Sequence, residues 1–188
     1  NGLLGRFSGE MELGSLSDIL AYLAMMQNSF VSSIRNTSGT HFAEKLFSEL
    51  ISRQTALVGA GSPTGNHGEE IDSSQTIVRL KYLGQKYLPS ENRHGVRCDI
   101  SAYNIVSNLA VLRKSGHTVN FIDDLKLVIG SIGESEEFPE LQKIGETPIL
   151  WASRNLPVYR STVVSGLLTL FLLLLFGSTH LKIYGYDF

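Results

Sequence analysis

The chain has 188 residues and a formal net charge of −2, which removes the electrostatic basis for a nucleic-acid partner. Charged residues make up 18% of the sequence, below the ~25% of ordinary soluble chains, and mean hydropathy is slightly positive at +0.05. A single cysteine, Cys98, excludes an internal disulfide framework and any cysteine-based zinc site.

Residues 1–16 read as an irregular, glycine-containing lead-in without the basic start and continuous apolar stretch of a signal peptide. Residues 17–58 read as a helical hairpin. In its first helix Ile19, Leu23, Met26, Phe30 and Ile34 recur at helical spacing; the second carries Phe42, Leu46, Leu50 and Leu57, joined by Phe47 and Ile51. Asn36-Thr37-Ser38 between them is an N-glycosylation sequon, which makes Asn36 a glycosylation candidate. Met25, Met26, Phe30 and Phe47 are candidate partner contacts, because soft and aromatic side chains on helix faces suit interfaces.

Residues 59–74, rich in Gly, Ser and acids, read as a flexible loop. Thr55-Ala56-Leu57-Val58 followed by Gly59, Gly61 and Gly65 superficially resembles a strand feeding a phosphate loop. The spacing misses G-x-G-x-x-G by one residue, and Pro63 removes a donor. His67, Glu69, Glu70 and Asp72 form the nearest approach to a metal cluster, although a solvated loop accounts for them equally well.

Residues 75–160 read as a helical region with an extended C-terminal part. One helix fits 75–88, although Val78-Arg79-Leu80-Lys81-Tyr82 alternates as a strand would. A helix capped by Asp99 or Ser101 runs to Lys114, and a short one covers 123–132. Thr147 to Trp151 is extended. No Ser in G-x-S-x-G or S-x-x-K and no paired His on one helix face is present, so no catalytic, cofactor or metal residues are assigned.

Residues 161–182 are the most apolar part, containing VVSGLLTLFLLLLF without a charge. Extended over 162–181 they approach the ~20 residues that cross a ~30 Å hydrocarbon core. Val163, Leu167, Leu170, Phe171, Leu174 and Phe176 are then expected to span the bilayer, with a short tail at 183–188. The competing expectation is a buried helix, or a turn at Gly177-Ser178 followed by a strand.

The sequence thus predicts a mostly α fold of four or five helices with one C-terminal transmembrane helix. The matching function is a non-catalytic accessory, assembly or anchoring subunit of a membrane complex, its partners the other subunits and the bilayer. Slightly more positive charge before the span than after it places the main domain on the cytoplasmic, matrix or stromal side. No cofactor is expected, although apolar helices leave room for a lipid or pigment. The alternative is a small soluble or peripheral enzyme in which the Leu-rich segment is core and the pocket lies near His117 and Asp123, with the Gly59 to Gly65 loop.

Overall fold

The computed structural model describes residues 40–61, 65–88, 90–104, 106–116, 119–132, 141–153 and 165–186. They form an α/β fold around a seven-stranded sheet, not the mostly helical fold the periodicities suggested. The strands are β1 (Thr55–Val58), β2 (Thr76–Leu80), β3 (Ile100–Tyr103), β4 (Leu127–Ile132), β5 (Lys143–Ile144), β6 (Thr147–Ser153) and β7 (Leu181–Tyr184). The helices are α1 (Thr40–Ile51), α2 (Gly68–Asp72), α3 (Glu91–His94), α4 (Val106–Lys114) and α5 (Ser165–Leu175).

The sheet order is β5-β6-β4-β3-β2-β1-β7, parallel throughout except for the β5–β6 hairpin. Thr55 lies opposite Thr76 on one side and Leu181 on the other, and Ile100 lies opposite Leu127. Steps from β1 to β4 run one way along the sheet, and α5 carries the chain back from β6 to β7. Right-handed crossovers place such connections on opposite faces. The cores agree. On one face α1 and α5 cover Leu57, Val78, Ile100, Leu127 and Leu150. On the other, Leu109 of α4 packs with Tyr103, Val128, Ile149 and Trp151, and Ile71 of α2 packs with Ala56, Val58 and Ile77.

Burial on both faces explains why strands read as helices. TALV and ISAY are buried at every residue, so they show no polar–apolar alternation, the signature of half-exposed strands. Residues 76–80, expected in a helix, are β2, where Ile77 and Arg79 point to one face and Val78 to the other. Asp99 and Ser101, expected as helix caps, flank the start of β3, and α4 begins only at Val106.

Among the described residues no helix is long and apolar enough to cross a membrane, which overturns the single-pass expectation. The Leu-rich run is α5, eleven residues long, ended by Gly177 at φ 86° and followed by β7. Leu168, Leu172 and Leu173 are buried on the sheet, while Leu167, Leu170, Phe171 and Phe176 are half-buried against the same core. Phe176 also meets Phe47 of α1 edge-on at 5.3 Å. A helix wedged between a sheet and a neighbouring helix has little wet surface, so it carries no polar face. Leu174 is 53% exposed, and Val163 lies outside the described residues.

Candidate functional site

In open parallel sheets, ligands bind beyond the carboxyl ends of the strands, near the point where the winding direction reverses. Here that point is the boundary of β1 with β7: β1 leads to β2 on one side, and β7 is reached from β6 on the other. The boundary itself is closed. The Gly59 N–H donates to the Tyr184 carbonyl at 2.8 Å, and the Gly61 N–H donates to that of Gly185 at 3.0 Å. A Cβ on Gly59 would collide with the Gly185 carbonyl oxygen, so glycine is required there by close backbone approach. The glycine segment after β1 extends the pairing with β7, and these two donors are already used. It is not a phosphate cradle.

The open space lies one strand over. A cleft of about 180 Å³ sits at the carboxyl ends of β1 and β2, between Val58–Ala60 and the segment from Arg79 to Leu88, with His94 at its base. Its polar wall consists of Arg79, Lys81, Tyr82, Tyr87 and His94; no aspartate or glutamate lines it.

Arg79 is 3% exposed. Its Nε donates to the Arg97 carbonyl at 2.7 Å and its Nη2 to the His94 carbonyl at 2.6 Å. Among the described residues no carboxylate pairs with it, and burial lowers its pKa from the ordinary value. The guanidinium is thus fixed by the dipoles of two carbonyls, with the Asp72 charge also acting on it. Lys81 is exposed, with its N–H donating to the Ala102 carbonyl at 3.0 Å, and it has no carboxylate partner among the described residues. It is also the one described non-glycine residue at positive φ, 55°. Strained backbone of this kind, costing about 1–2 kcal/mol, concentrates at ligand sites.

The wall on the other side is aromatic. The Tyr82 N–H donates to Ser101 Oγ at 3.1 Å, and its carbonyl accepts the Tyr103 hydroxyl at 2.5 Å. Burial raises the pKa of Tyr82 and of Tyr103, so both stay neutral donors across ordinary pH. Burial likewise pushes the Cys98 thiol far up, leaving it protonated and unreactive.

Of the residues singled out from sequence, Gly59 of the glycine loop lines the cleft, and the other described ones lie elsewhere. Asp123 is tied to Arg113 at 2.6 Å, at the opposite end of α4 from the carboxyl edge of the sheet, and His117 lies outside the described residues. Met25, Met26, Phe30 and Asn36 also lie outside them. Phe47 is fully buried in the chain's own core. Of the acidic cluster, Glu70 accepts from Lys182 at 2.8 Å and faces His67 Nδ1 at 3.2 Å, while Asp72 accepts the N–H groups of Val96 and Arg97. Among the described residues no group of three such side chains could hold a metal ion. The cleft had a signal in the sequence: residues 73–90 contain Arg79, Lys81, Lys86 and two tyrosines without a single acid.

No family model matches the chain, and neither a curated protein nor a solved structure does.

Proposed function

We propose that this chain is a nucleotide-using α/β protein that binds a mononucleotide, or the nucleotide part of a larger substrate, in the cleft at the carboxyl ends of β1 and β2. The observation that carries the reading is an acid-free cleft lined by a buried Arg79 and a strained Lys81, at the sheet edge where parallel α/β folds place ligands. Arg79 supplies a fixed positive field, and Lys81 supplies the mobile contact to a phosphate. The engaged N–H groups of Gly59 and Gly61 favour a single nucleotide over a dinucleotide, since charge is met by side chains and not by a backbone cradle. A volume below the ~300 Å³ of drug-sized pockets suits one moiety of the ligand.

Isothermal titration with the mono- and diphosphates of the four common ribonucleosides, NAD and inorganic phosphate tests this. At least one mononucleotide should bind, more weakly as salt rises, and should stabilise the fold by about 2.7 kcal/mol at a hundredfold excess over Kd. Absence of binding by every nucleotide overturns the reading.

A further inference from the structure

The rim of the cleft exposes large apolar side chains that its cations do not explain. Tyr87 is 62% exposed and Leu83 49%. Tyr87 ends a single 3-10 turn, Gln85–Tyr87, and Leu83 lies just before it. That turn is built to hold its shape. The Tyr87 N–H donates to the Gly84 carbonyl at 3.1 Å, and the Leu88 N–H donates to that of Gln85 at 3.1 Å. Gly84 sits at φ 100°, where a side chain would be strained, and a Cβ there would press on Phe121 at 3.2 Å. Phe121 in turn meets the Tyr82 ring edge-on at 6.3 Å. The Lys86 ammonium lies over the Tyr87 ring, 4.9 Å from its centroid.

We propose that Tyr87 is the ring-stacking platform of the site, receiving the base of the nucleotide whose phosphate faces Lys81 and Arg79. The proposal rests on the nucleotide reading of the cleft and adds to it the group that reads the ring. An exposed aromatic ring on a backbone turn that keeps its shape, beside an acid-free cleft lined by cations, matches a ligand with one flat apolar end and one anionic end. Stacking on a tyrosine tolerates any base, so preference among bases would come from other groups, while preference for a base over none would come from Tyr87.

The test compares nucleoside monophosphates with ribose 5-phosphate, which keeps the sugar and phosphate but lacks the ring. The wild-type chain should bind the best nucleotide about 5- to 150-fold more tightly than ribose 5-phosphate. Y87A should remove most of that ratio and leave ribose 5-phosphate affinity within about twofold. Y87F should keep it, because the ring and not the hydroxyl is the contact. Since Tyr87 is exposed, both variants should melt within about 2 °C of wild type. A ratio that survives in Y87A overturns the platform but leaves the nucleotide site standing, as does equal loss of both ligands. A wild type that binds neither ligand removes the site and the platform together.

Discussion

The two edges of the parallel sheet carry opposite kinds of electrostatics. At the amino edge, charge is satisfied. Asp99, 6% exposed, accepts the Ile77 N–H at 2.9 Å and meets Lys126 at 2.7 Å and Arg97 at 3.5 Å. Arg97 continues the network to the carbonyls of Asp72 and Ser74, and Asp72 returns acceptors to the N–H groups of Val96 and Arg97. At the carboxyl edge, Lys81 lines open space with no aspartate or glutamate in the cleft lining, while the Arg79 guanidinium reaches back to the carbonyls of Arg97 and His94. A closed network fixes strand starts and gains little from a ligand. An open cationic cleft leaves interaction energy to be realised on binding.

The core beneath both edges sets the largest effect. Leu172→Ala should destabilise by about 3–4 kcal/mol, since Leu172 is fully buried, whereas Leu174→Ala should cost under about 0.5 kcal/mol. Chemical denaturation checks both, and equal costs would place α5 outside the core. Asp99→Ala should come next, at about 1–3 kcal/mol and a Tm lower by about 2–12 °C, because it leaves the buried Ile77 N–H without its acceptor, while the half-exposed Lys126 and Arg97 turn to solvent. Lys81→Ala should invert that pattern, with stability nearly unchanged because alanine keeps the Cβ and the same strain, and nucleotide affinity lowered about tenfold or more. Calorimetry and thermal melts on the same sample separate the two outcomes.

The smallest effect belongs to Glu70, near the β7 edge of the sheet. Lys182 first, then His67, hold its carboxyl down to about 2 from the ordinary 4.5. Because the folded value lies below the unfolded one, the pairing contributes its full stability above about pH 4.5. That contribution is lost as pH falls toward 2. Glu70→Gln should flatten this acid limb by slightly lowering stability above about pH 4.5 while leaving it unchanged near pH 2, as melts between pH 2 and 6 would show.

Much of the chain's local character was legible and its assembly was not. The extended 147–151 corresponds to β6, and two features weighed only as alternatives, a turn at Gly177-Ser178 and a strand within 78–82, also correspond to the fold. Thr55 to Val58, expected in the second helix of a hairpin, is a strand, and the use of Gly59 and Gly61 depends on β7, more than a hundred residues later. The apolar run of α5 carries no periodic cue because its neighbours lie on two sides, so length alone had to decide between lipid and core. The cleft eluded motif reading for a related reason. Arg79, Lys81 and Tyr87 match no signature, and only the strand order puts them at a carboxyl edge.

The most direct measurement is an amide chemical-shift titration of the isotope-labelled chain with the tightest-binding nucleoside monophosphate. The account predicts that the largest shifts fall on Val58–Ala60, Lys81–Gly84 and Tyr87, with the amino-edge residues Asp72, Ile77, Arg97 and Asp99 nearly still. Shifts concentrated at the amino edge, or spread evenly without saturation, would contradict it.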